Sequence, residues 1–162
     1  VTDDRFGKLE RELVFPALTM KMYFEFEERQ GRELGPAIGA QLIEAIDYAL
    51  VHSKAATSYL EQLLVCSTGD WGTSMLAMGT ARTAYRHRMD PEYVIDIIRC
   101  PFVSSGRDED ERIENRLLAL HHAGVPKEYA LSLRVASLSV EEVVSAWQSG
   151  IAAEYAVVSM GR

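Results

Sequence analysis

A thiol, a carboxylate and an indole stand close together at Cys66, Asp70 and Trp71, with Gly69 and Gly72 beside them. Cysteine reacts as its thiolate, so a nucleophilic site here needs a base or a cation to draw off the proton. His52, His87, His121 and His122 show no spacing that pairs one of them with Cys66. Cys66 also follows Leu63-Leu64-Val65, the setting of a small buried hydrophobe. An enzyme or small-molecule pocket near Cys66, Asp70 and Arg82, between the helices carrying Tyr59 and Met78, is therefore the alternative expectation.

Positive charge gathers at Arg82, Arg86, His87 and Arg88. Arg82 and Arg86 lie one helical turn apart and can grip one anion together. Cations at a helix C-terminus also answer the helix dipole without any ligand. Arg82, Arg86 and Arg88 are the anion-binding candidates. His121 and His122 point different ways on a helix, and the Glu-x-x-His pairing of carboxylate-bridged metal bundles is absent, so no metal is expected. Cys66 and Cys100 form no Cys-x-x-Cys motif, and a disulfide is disfavoured in a reducing compartment. With no Walker loop, His-Glu-x-x-His or Gly-x-Ser-x-Gly present, no cofactor and no catalytic residue are assigned.

Glutamate-tyrosine pairs recur. Val125-Pro126-Lys127-Glu128-Tyr129-Ala130 returns as Ile151-Ala152-Ala153-Glu154-Tyr155-Ala156, each copy preceded by glycine, and a looser copy runs from Met89 to Val94. Leu138 to Val143 keeps the spacing without the tyrosine, so Val125, Leu138 and Ile151 stand thirteen residues apart. That period suits one short helix plus one turn. The tyrosines can pack between successive helices while the glutamates cap backbone N–H groups. They can instead line a groove for a partner, which makes Tyr93, Tyr129, Tyr155 and Trp147 the partner-binding candidates. The Gly-[Val/Ile]-x-x-Glu-Tyr units, from Gly124 to Ala156, resemble short helical repeats found at the ends of many uncharacterised bacterial proteins. That resemblance implies a helical scaffold and no activity.

The elements that must carry these residues read as helices. Residues 3 to 14 suit a first helix capped by Asp3 or Asp4, with Phe6, Leu9 and Leu13 on one face. Leu18 to Phe26 alternates apolar and polar residues, which fits a half-buried strand as well as a helix, and a lone strand would need a partner copy. Pro36 opens the clearest helix, running to Val51 over Ile38, Leu42 and Ile46. A helix through Tyr59, Leu60, Leu63 and Leu64 ends near Cys66. A loop over Ser67 to Thr73 follows, with Thr73 or Ser74 as the next cap. Asp90-Pro91 starts another helix, which Pro101 stops. Phe102 to Gly106 is a break, and Asp108 to Glu111 places four acids in a first turn, where they suit the helix dipole. Ser139 and Glu142 form a capping box.

The expected fold is all-α: one domain over 1–162, with an N-terminal helix and ambiguous segment at 1–35, a helical core at 36–88 and an acidic short-helix region at 89–162. The net charge of −7 divides as −2 over residues 1–88 and −5 over 89–162. The acidic half repels a phosphate backbone, so nucleic acid is not an expected partner. No apolar run reaches the roughly 18 residues of a membrane span, and the polar start does not read as a secretory signal. A cytoplasmic location is expected. Four lysines among seventeen basic residues, with abundant alanine, fit a high-GC bacterial or phage genome. The leading functional expectation is a non-enzymatic interaction or regulatory adaptor protein, with a protein partner and a possible homodimer through Leu18 to Phe26.

Overall fold

Prolines, left-handed residues and capping side chains divide the chain into helices. The computed structural model describes residues 4–100, 102 and 113–160, and the fold is all-α, with no strand among the described residues. No helix among them is long and apolar enough to cross a membrane. The chain divides into two compact units, Val1–Ile95 and Asp96–Arg162, the boundary falling inside one helix.

In the first unit a 3-10 turn, Asp4–Phe6, leads into α1 (Gly7–Glu10), α2 (Pro16–Gln30), α3 (Pro36–His52), α4 (Thr57–Cys66), α5 (Trp71–Arg86) and the start of α6 (Pro91–Arg99). Pro16 and Pro36 sit in first turns, where a missing N–H has no intrahelical partner to lose. α3 packs against both α2 and α5, and α4 lies on α5. Leu42, Ile43 and Ile46 of α3 are fully buried, as are Leu60, Leu63, Leu64 and Met78.

The ambiguous segment Leu18 to Phe26 is helical throughout, within α2. Its nominally polar members hide the helical period. Thr19, Tyr23 and Glu27 share the buried face with Met22 and Phe26, because each finds a hydrogen-bond partner there. With no strand edge to cover, dimerisation by strand pairing has no basis. The expected helix over 3–14 is also shorter than its pattern. The Asp47 carboxylate of α3 accepts the N–H groups of Val14 at 3.1 Å and Phe15 at 2.9 Å, and the Thr19 hydroxyl at 3.1 Å. That buried carboxylate turns the chain into α2.

Glu27 anchors the opposite end of α2. It accepts two bonds from Arg5, at 3.1 and 2.8 Å, one from the Tyr23 hydroxyl at 2.6 Å and one from the Leu34 N–H at 3.1 Å. Burial pushes its carboxyl upward, but these hydrogen bonds and the Arg5 charge outweigh that and hold it below the usual value. Asp70, not Thr73 or Ser74, caps α5: it accepts the Thr73 N–H at 3.3 Å and also bonds the Thr73 hydroxyl. Ser74 instead shares a buried 2.7 Å bond with Ser67.

The second unit contains the end of α6, then α7 (Ile113–His122), α8 (Lys127–Ser132), a 3-10 turn at Arg134–Ala136, α9 (Val140–Gln148) and α10 (Ala153–Met160). Ser139 and Glu142 form the expected capping box, with both bonds at 3.1 Å. Leu117, Leu120, Val143, Ala146 and Ala156 make its core. Asp3, Pro101, residues 103–106 and the acidic run Asp108 to Glu111 lie outside the described residues.

Candidate functional site

Besides Gly31 and Gly69, the backbone is left-handed at Lys54, Arg88, Gly124, Ser137 and Gly150, these five with φ of 60°, 55°, 71°, 53° and 71°. In four of these cases a tyrosine stands five residues later: Tyr59, Tyr93, Tyr129 and Tyr155. After Ser137 that position holds Glu142, the capping-box glutamate.

Three of these corners close the preceding helix alike. The N–H of Met89 reaches the Ala84 carbonyl at 2.9 Å, that of Val125 reaches Leu120 at 3.0 Å, and that of Ile151 reaches Ala146 at 3.0 Å. The left-handed residue before each bonds three positions back, to Tyr85, His121 and Trp147. This is the Schellman arrangement, in which a left-handed residue satisfies the last carbonyls and buries an apolar residue behind it. Met89 and Val125 are buried accordingly.

Two corners carry a further match. Tyr59 of α4 donates its hydroxyl to the Met89 carbonyl at 2.7 Å, and Tyr129 of α8 donates to the Ile151 carbonyl at 2.7 Å. The aromatic residue three before the left-handed residue of each of these two corners meets the same tyrosine edge-on. Tyr85 lies 5.1 Å from Tyr59 with planes at 64°, and Trp147 lies 5.0 Å from Tyr129 at 64°. One such assembly belongs to each unit. Burial, and then the charge of Asp90, push the Tyr59 phenol up to about 12. Burial also raises that of Tyr129.

The candidate residues therefore separate. Tyr129 is a strut between α8 and the α9–α10 corner, whereas Tyr155 is 65% exposed and Trp147 36% exposed. Tyr93 is half-buried in the first unit. Arg86 and Arg88 line a hollow of about 550 Å³ with Tyr59, Tyr85, Met89, Asp90 and Pro91. Arg82 is exposed and does not line it. A second hollow, of about 330 Å³, lies beside Val14, Asp47, Tyr48 and His52. Cys66 and Asp70 line neither. Met78 is core.

Neither cysteine is in a disulfide; Cys66 is half-buried, and Cys100 is buried, which pushes its thiol up. No group of three or more metal-ligating side chains converges among the described residues. Reading the residues alone missed Tyr85 as a site residue and Tyr59 as a corner partner. The usable signal was an aromatic residue three positions before the left-handed residue at two of the corners, Tyr85 before Arg88 and Trp147 before Gly150. No protein-family model, curated protein or solved structure matches the chain.

Proposed function

We propose that this protein is a non-enzymatic interaction or adaptor module whose partner docks on α9–α10 of the second unit. The observation that carries the reading is the exposure of Tyr155 and Val158, at 65% and 85%. Three residues apart on α10, they share one helix face. Neither α9 nor α10 contains a lysine or arginine, while Glu141, Glu142 and Glu154 punctuate them. Charge complementarity then selects the occupant: an amphipathic helix with an apolar stripe and a basic rim. Tyr129, half-buried and bonded to the Ile151 carbonyl, holds the corner between α9 and α10 in place. Bacterial or phage origin and a cytoplasmic setting belong to this proposal.

Calorimetric titration with a Leu/Lys amphipathic helical peptide and a Leu/Glu peptide of the same pattern tests it. The account expects saturable binding of the basic peptide alone, weakened about tenfold by Tyr155→Ala with Val158→Ser. Equal binding of both peptides, or binding untouched by the double substitution, would overturn it. So would self-association through this face, which would make a second copy the occupant.

A second reading, a small-molecule-binding helical domain, is favoured by the hollow between Tyr59, Tyr85 and Arg88.

A further inference from the structure

The two tyrosine corners share a scaffold but not a surface. Arg86, Arg88 and Asp90 stand where Gln148, Gly150 and Ala152 stand in the other copy. The second copy closes its helix with the same bonds and lacks all three charges, so this corner geometry does not require them. Arg88 is also strained. Its φ of 55° lies in the left-handed region, which a Cβ disfavours. Gly150 occupies the same conformation without that cost.

Lys54 and Ser137 hold the same left-handed conformation, so what sets this corner apart is its charge rather than its backbone. The charges also converge on the hollow of about 550 Å³, a volume typical of small-ligand sites. Arg86 and Arg88 are exposed and make no ion pair among the described residues. Tyr59 and Tyr85 form one wall, and the Tyr59 hydroxyl is already committed to the Met89 carbonyl. Two guanidinium groups against the Asp90 carboxylate leave the rim with a net charge of +1. That balance matches one negative charge and disfavours polyphosphates and nucleic-acid backbones.

We propose that this hollow binds an aromatic monocarboxylate. The guanidinium groups of Arg86 and Arg88 donate hydrogen bonds to its carboxylate, and its ring lies against the Tyr59–Tyr85 pair. The proposal rests on the small-molecule reading and is independent of the α9–α10 face.

The test is an NMR titration of the whole chain with 3-phenylpropionate, alongside 3-phenylpropanol, which keeps the ring and loses the charge. Saturable shifts at Tyr85 and Arg88 are expected with the acid, and binding at least about tenfold weaker with the alcohol. Arg88→Gly is the decisive variant, because glycine already occupies the matching position of the second corner. It should melt no lower than wild type and bind the acid at least about tenfold more weakly. Arg86→Gln, at an exposed helix end, should weaken binding in the same direction. Unchanged affinity in Arg88→Gly, equal binding of the alcohol, or no saturable shift at millimolar acid would overturn the proposal. Each of these outcomes leaves the peptide experiment on α9–α10 unaffected.

Discussion

Tyr59 and Met89 stand thirty residues apart in sequence, yet the phenol of one donates to the carbonyl of the other at 2.7 Å. The bond ties α4 to the point where α5 ends and α6 begins. Removing it by Tyr59→Phe leaves the Met89 carbonyl without that donor and should destabilise the first unit by about 0.5–1.5 kcal/mol. Chemical denaturation followed by near-ultraviolet signals of the tyrosines measures this. Tyr129→Phe should act alike on the second unit, since its bond to Ile151 has the same length.

The same phenol sets an alkaline limit. Its pKa is raised from 10.0 to about 12, so the folded state holds a proton that the unfolded chain gives up first. The associated stability is fully present below pH 10 and is lost as the pH rises toward 12. Denaturation midpoints measured across that interval should fall more steeply in wild type than in Tyr59→Phe. Parallel curves would show that Tyr59 does not control the limb.

Glu27 sets the acid limit, with the opposite sign. Its carboxyl is held below the ordinary 4.5, so its contribution is present above that value and lost as the pH falls through the folded-state pKa. Glu27→Gln should be less stable at neutral pH, because the Arg5 pairing is broken, and should show a flatter acid limb. Acid titrations of the two proteins by circular dichroism check both halves of this statement.

Gly39 is the close-approach position of α3. A Cβ placed there would lie 2.5 Å from the Tyr23 hydroxyl oxygen and 2.7 Å from Cζ of Phe6. Those two rings are themselves locked edge-to-face, with centroids 5.4 Å apart. Gly39→Ala should therefore cost about 1–3 kcal/mol despite alanine's higher helix propensity. In a double-mutant cycle with Tyr23→Phe, which removes the clashing oxygen, the two effects should be clearly non-additive.

How far the residues announce this structure depends on whether the interaction is local. Pro36 and the Ile38, Leu42, Ile46 spacing mark α3 because start signal and buried stripe lie in one stretch. The Ser139–Glu142 capping box is likewise visible from four residues. α2 is not legible in this way. Thr19, Tyr23 and Glu27 count as polar until Asp47 and Arg5, brought from elsewhere in the chain, bury them with hydrogen bonds. The corner at Lys54 escapes notice for another reason: a lysine occupies the left-handed position, and serine stands where the later copies have glutamate before tyrosine. For the candidate site, Arg86 and Arg88 were visible as a charge cluster. A pocket between the helices carrying Tyr59 and Met78 was expected near Cys66, Asp70 and Arg82; the hollow lies instead toward Arg86 and Arg88, where Tyr59 and Tyr85 meet across those two helices.

The central claim is that α9–α10 receives a basic amphipathic helix, and the most direct measurement is amide chemical-shift mapping of the Leu/Lys peptide on the isotope-labelled chain. The account predicts saturable shifts concentrated between Val140 and Met160, strongest around Tyr155 and Val158, and absent with the Leu/Glu peptide. Shifts centred instead on Arg86 and Arg88, or no saturable shifts anywhere, would contradict it.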